Sequence, residues 1–279
     1  MIKEALVCLE SSRSSEAATR VAITIAEDFK SRLVGLAIVD EPDIRAGTAT
    51  GIGGSSFKHE RDEALLADAR ANAADALALF ERRCREANVD ARTLEIVGRP
   101  ADSILAEMET RDLTIIGRDA NFRFEIDSDD TATREAILHR APTPVLLVPE
   151  GAEVPIGKTV VVAYDGSRAA KRAIASFAAS GLAQRRSVHV ATVDDSGEQA
   201  WELAMAGVKA LTDVGVAAVP NNLVSAQSNV EALFGFAQEI GAGLMVMGAF
   251  AHSRLAHLFH GSVTRGLVER TSIPLYLQH

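Results

Sequence analysis

The chain repeats itself, and the repeat limits what it can fold into. The run Ala5-Leu-Val-Cys-Leu-Glu10-Ser-Ser aligns with Val160-Val-Val-Ala-Tyr-Asp165-Gly-Ser at an offset of 155 residues. Leu33 to Asp40 aligns with Ser187 to Asp194 at an offset of 154, and Leu113-Thr-Ile-Ile-Gly117 with Leu244-Met-Val-Met-Gly248 at 131. Two copies of one unit, each of ordinary domain size, must therefore fill most of the 279 residues. The falling offset puts about 23 extra residues between the second and fourth apolar runs of the first copy. The glycine-rich stretch from Gly47 to Ser56, read as a loop, and a longer helix after it absorb them.

Within each copy, short apolar runs alternate with stretches of helical period, the pattern of β-α-β units with a parallel sheet covered on both faces. Strands are expected at 4–10, 33–39, 92–97, 113–117 and 144–148, then at 159–164, 187–193, 216–224, 244–248 and 274–278. Helices are expected at 14–29, 59–88, 101–109 and 131–139, then at 168–180, 197–213, 227–240 and 262–270. The expected fold class is α/β, with two repeated, doubly wound, parallel five-stranded domains at 1–149 and 158–279 and a linker at 150–157. The closing runs Pro144 to Val148 and Pro274 to Leu277 are apolar and would be open sheet edges if left unpaired. The two copies are therefore expected to form one pseudo-symmetric body.

Charge excludes some functions. Before Gly151 there are 28 acidic and 19 basic residues, against 10 of each from there on, so the net charge of −9 sits wholly in the first copy. Such a surface argues against duplex nucleic acid, which needs basic groups on its phosphates, and leaves the neutral second copy as the easier host for an anion. No apolar run approaches the roughly 20 residues of a membrane span, and the N-terminus has no signal-type core, so a cytoplasmic protein is expected. Cys8 and Cys84 lack any C-x-x-C spacing and read as bystander thiols.

Gly157-Lys158-Thr159 has the look of a phosphate loop, but a strand follows it where that motif needs a helix. Gly51-Ile-Gly53-Gly54 follows no strand-to-helix turn and misses the dinucleotide fingerprint. The segment from Gly248 to Thr264 is different. A strand ends at Gly248, and Gly261-Ser262 opens an amphipathic helix with Val263, Leu267 and Val268 on its apolar side. Glycines admit close backbone approach, Ser262 offers a hydroxyl, and a helix start offers free amides, so the segment reads as an anion cradle. A plain loop with a serine cap reads equally well on these residues alone. His252, His257 and His260 lie in this loop, but their spacing does not converge and no Cys or acid completes a set, so no metal site is expected.

Here the chain resembles the universal stress protein family, in which ATP is bound through G-x-x-G, nine residues, then G-[S/T]. Gly248 matches the first glycine, and Gly261 with Ser262 the closing pair. Ala251 stands where the family has its second glycine and adds a methyl group near the phosphates. The resemblance covers nearly the whole chain and implies two flavodoxin-like domains of the adenine nucleotide alpha hydrolase type, paired within the chain as a pseudo-dimer, with homodimerisation left open. It implies an adenine nucleotide site in the second copy: Asp165 at ribose or adenine, Val193 over adenine, and Gly248, Ala251, Gly261, Ser262 and Val263 around the phosphates, with Mg2+ accompanying ATP. The function it implies is stress-response regulation, with a regulatory protein partner. In the first copy Glu10-Ser11-Ser12 replaces Asp-Gly-Ser, Ala120 replaces a glycine, and Asp130-Thr131 stands at the closing pair. Asp127, Asp129 and Asp130 would crowd the helix start, so this copy reads as degenerate. No nucleophile elbow, Ser-His-Asp set or paired-carboxylate motif appears, so at most slow ATP hydrolysis is expected. The competing readings are an interaction scaffold with both sites lost and a weak ATPase.

Overall fold

A computed structural model describes residues 1–46, 55–122, 132–224, 228–249 and 261–279. The first copy runs β1 (Glu4–Cys8), α1 (Arg13–Phe29), β2 (Arg32–Val39), α2 (Glu41–Ala46), α3 (Ser55–Glu86), β3 (Ala91–Val97), α4 (Pro100–Met108), β4 (Leu113–Gly117), α5 (Ala132–Arg140) and β5 (Val145–Val148). The second runs β6 (Thr159–Ala163), α6 (Arg168–Ser180), β7 (Ser187–Val193), α7 (Gly197–Asp213), β8 (Ala218–Leu223), α8 (Asn229–Glu239), β9 (Leu244–Gly248), α9 (Gly261–Arg270) and β10 (Leu275–Gln278).

All ten strands join one sheet in the order β3-β2-β1-β4-β5-β10-β9-β6-β7-β8. Pairing is parallel within each copy and antiparallel only at the seam, where Leu147, Leu146 and Val145 face Leu275, Tyr276 and Leu277. The closing strands thus cover each other, as their apolar composition requires. Residues of both copies mix in the two main cores: one holds Val7, Leu146, Phe177 and Tyr276, the other Ile116, Leu138, Leu233 and Leu267. Central strands such as β4 are buried along their whole length, as expected of a parallel sheet covered on both faces. Contacts away from the seam also tie the copies: Ile2 N donates to Ser180 O at 3.2 Å, and the Arg118 guanidinium donates to Thr271 O at 2.9 Å.

Local signals set the helix ends. Ser12 and Ser167 occupy equivalent positions, and each hydroxyl accepts from a first-turn amide, Ser15 N at 3.2 Å and Ala170 N at 3.0 Å. Helix α6 ends on Gly181 at φ 85°, a left-handed stop that favours glycine. Several element ends shift by a residue or two from the sequence expectation, and three differences have a visible cause. Strand β1 stops at Cys8 because Glu10 has turned to the start of α1, its N–H bonded to Ser15 Oγ at 3.1 Å. Helix α3 starts at Ser55, so Ser55 and Ser56 belong to it and not to a loop. Helix α2 was not anticipated; its signal was Asp40, whose carboxylate caps Asp43 N at 3.1 Å. Both cysteines are free and buried, and burial pushes the Cys84 thiol up to about 11 and the Cys8 thiol further still, which keeps both protonated. No helix among the described residues is long and apolar enough to cross a membrane.

Candidate functional site

In each copy the strand order reverses beside the first strand, and open α/β sheets bind ligands in the crevice beyond the carboxyl ends at such a point. In the second copy the reversal lies between β6 and β9. Asp165 follows the end of β6, Gly248 ends β9 and Val193 ends the neighbouring β7, so three of the expected residues gather at one rim. Helix α9 links two parallel strands and so runs against them, which brings its amino end, at Gly261, to the same rim. Ala251, His252, His257 and His260 lie outside the described residues, as does Arg254 of the same loop, a candidate charge partner for phosphate on sequence grounds.

Asp165 is half-buried, and one oxygen of its carboxylate accepts from Ser167 N at 2.9 Å. That turn needs Gly166 at φ 75° and leaves the second oxygen for another donor. Thr192, wholly buried, donates its hydroxyl to Tyr164 O at 2.8 Å and so pins the peptide that carries Asp165. Val193 is buried at the rim, and Val263, Leu267 and Val268 seat α9 on the core with it. Sequence reasoning missed Asp194, which is buried beside Val193 and accepts from Ser196 N at 2.8 Å. Its signal was the repeat itself, since Asp40 caps α2 from the matching place in the first copy.

Gly248 has a structural duty. A Cβ built there would lie 2.5 Å from Ala169 C and from Ala170 N, in the first turn of α6. Gly117 matches it: a Cβ would lie 2.7 Å from Ser14 C and Ser15 N in α1. Both glycines let a helix amino end come down onto the sheet, whatever else the second of them does.

The first copy fills its own crevice. The Asp119 amide, which follows β4 where a cradle would begin, donates to Ser14 Oγ at 3.0 Å. The buried Arg134 of α5 turns its guanidinium to Arg118 O. Glu10 stands at the place of Asp165 and accepts from both the amide and the hydroxyl of Ser12. Asp127, Asp129 and Asp130 lie outside the described residues.

Burial holds the Glu10 carboxyl above the usual carboxylate range, against the hydrogen bonds of Ser12 and with the help of nearby Asp119. A raised carboxyl favours folding below its unfolded value, and that contribution is lost as pH rises through the folded value, so charged Glu10 opposes folding at neutral pH. Glu10→Gln is therefore expected to raise the melting temperature at pH 7 and to raise it less at pH 4. Thermal scans at both values check this, and an equal or larger gain at pH 4 would contradict it.

Comparison with known proteins fits this fold. A universal stress protein of Synechocystis sp. is 32% identical over 146 residues, 52% of this chain and 50% of that protein, so the chain spans about half the length of the curated relative it matches. Among solved structures, a universal stress protein from Archaeoglobus fulgidus shares the fold with a TM-score of 0.68 at 18% identity, covering 99% of this chain and 97% of that one. A protein of unknown function from Pseudomonas aeruginosa PAO1 does so with a TM-score of 0.58 at 16% identity, covering 99% and 92%. The sequence profile described as the universal stress protein family matches twice, over residues 1–149 and 157–278, so the chain belongs to that family as a tandem, two-domain member.

Proposed function

We propose that the second copy, at 158–279, binds ATP with Mg2+, and that the first, at 1–149, is a degenerate copy which packs against it and serves regulation. One observation carries the reading: the two crevices have the same architecture, and the first is occupied by its own Ser14 and Arg134. The second has only alanine at the place of Ser14, since Ala169 matches it beside Gly248. Asp165 would accept from a ribose hydroxyl or adenine amine, and Val193 would lie against the base. Gly248, Ala251, Gly261, Ser262 and Val263 would surround the phosphates, with the amino end of α9 supplying amides and the positive end of its dipole. No cluster of three or more metal-binding side chains occurs among the described residues, so Mg2+ would arrive on the phosphates with most of its waters. The protein then acts as a nucleotide-responsive regulator in the cytoplasm, passing its bound state to a protein partner.

Titration calorimetry with ATP and Mg2+ tests the reading. One site per chain is expected, and Gly261→Asp is expected to remove it without lowering stability, because a carboxylate at a helix start repels phosphate yet caps the helix. One phosphate charge about 4 Å away makes the repulsion on the order of 1–4 kcal/mol at effective dielectrics of 80 to 20, about fivefold to nearly a thousandfold in affinity, and the further charges of a triphosphate add to it. Two sites per chain, or unchanged affinity in Gly261→Asp, would overturn the assignment. Absence of binding at millimolar ATP would leave the chain as a scaffold.

A further inference from the structure

Helix α7 carries an apolar stripe that is left open among the described residues. Ala200, Ala204, Gly207 and Leu211 face the sheet. On one flank Leu203 leans toward the start of α6, its Cδ2 3.1 Å from where a Gly166 Cβ would sit. The other flank has Trp201, Met205, Val208 and Thr212 at helical spacing, and it overhangs β8, the last strand of the sheet on this side. Trp201 is 47% and Met205 44% exposed, and Trp201 is the only tryptophan of the chain. Large aromatic and sulfur side chains left in water together mark contact surfaces.

The strand below cannot serve that surface by pairing. Leu223 O accepts from Asp194 N across the β7–β8 pair, so the peptide groups of residues 219, 221 and 223 point inward and those of 218, 220 and 222 point out. Pro220 stands at the middle outward position and has no N–H to give, which disfavours strand addition at this edge. A helix, which offers side chains and needs no free ladder groups, suits the stripe.

We propose that the occupant is the α7 of a second copy of this chain, laid antiparallel about a two-fold axis through Met205. Charge complementarity selects it. Glu198, Glu202 and Lys209 flank the stripe on its solvent side, the acids toward the amino end and the lysine toward the carboxyl end. A two-fold at Met205 keeps solvent sides together and brings Lys209 of each copy opposite Glu202 of the other, with Trp201 across from the Lys209 stem. The internal pair of Lys209 with Asp213, at 2.9 Å, is well exposed and yields at little cost. The wider field agrees, because the −9 charge lies in the first copy and the second has 10 acidic and 10 basic residues. Two chains that meet through their second copies keep their acidic halves apart. The seam between β5 and β10 is already closed within each chain, so this contact is additional to it.

Sedimentation velocity from low to high micromolar concentration, with Trp201 emission recorded on the same series, tests the proposal. A monomer–dimer equilibrium is expected, with the emission moving to the blue as dimer forms. Met205→Arg puts two like charges on the axis and should raise the dissociation constant at least about 100-fold, with the far-UV spectrum kept and the melting temperature equal to that of the wild type at concentrations where the wild type is monomeric, because the site is on the surface. Glu202→Lys and Lys209→Glu should each weaken the dimer about tenfold, and the double variant should recover most of the loss, since it restores opposite charges across the axis. A chain that stays monomeric throughout, a dimer indifferent to Met205→Arg, or a double variant no better than either single would overturn the proposal.

Discussion

Gly248→Val is expected to destabilise the protein by at least about 3 kcal/mol, lowering the melting temperature by about 6–10 °C. The atoms a Cβ would meet, Ala169 C and Ala170 N at 2.5 Å, belong to the helix backbone and have no rotamer to retreat into. The start of α6 would have to lift from the sheet, taking with it the Ser167 cap and the turn that holds Asp165. The nucleotide binding proposed above would weaken too, through the displaced Asp165 as much as through the proposed phosphate contacts. Gly117→Val should behave alike in the first copy, where no nucleotide is expected, because Ser14 and Ser15 backbone atoms wait at 2.7 Å. Gly235→Ala supplies the contrast: this glycine is exposed in α8 with nothing within 4 Å of a Cβ, so the change should stabilise by about 0.5–1 kcal/mol through helix propensity. A Gly248→Val protein as stable as the wild type would show that α6 is not held against the sheet as described.

That glycine shows where sequence reading stops. A glycine at the end of an apolar run reads as a phosphate neighbour because the spacing to Gly261-Ser262 is local information. Its contact with Ala169 joins residues 79 apart and appears only when β9 lies beside β6 and α6 crosses above. The strands themselves were legible because each is a continuous apolar run, and α6 and α9 because their buried residues keep helical spacing and their ends carry Ser167, Gly181 and Gly261. The seam could be foreseen because two apolar closing strands have nowhere else to go. Less legible were the six residues of α2, too short for a period to show, and the burial of Arg134, a residue type that a helix pattern assigns to solvent. The departure of the first copy from the family pattern was visible at Glu10. The bond from the Asp119 amide to Ser14 was not, since serine beside a helix cap is ordinary in sequence.

Leu146→Asp should have the largest effect of all and should strike both copies at once. Leu146 is fully buried in β5, opposite Tyr276 of β10, in the core that also holds Phe177. Phe177 of α6 meets the Tyr276 ring edge-on with centroids 5.8 Å apart, so the ring that faces Leu146 across the seam is held from behind by a helix of its own copy. A carboxylate here finds no partner, and burying it or protonating it costs more than about 4 kcal/mol. Opening the seam to admit water would instead expose two apolar strand edges, so neither copy has an inexpensive way out. Wild type should accordingly melt in one calorimetric transition that includes both copies. Leu146→Asp should be largely unfolded or aggregated when expressed at 37 °C, and Leu146→Ala, which leaves a cavity in place of a charge, should fold with a loss of about 2–5 kcal/mol and still melt in one step. Two separate transitions in the wild type, or a Leu146→Ala variant that lowers the stability of one copy and spares the other, would mean that the ten strands do not act as a single sheet.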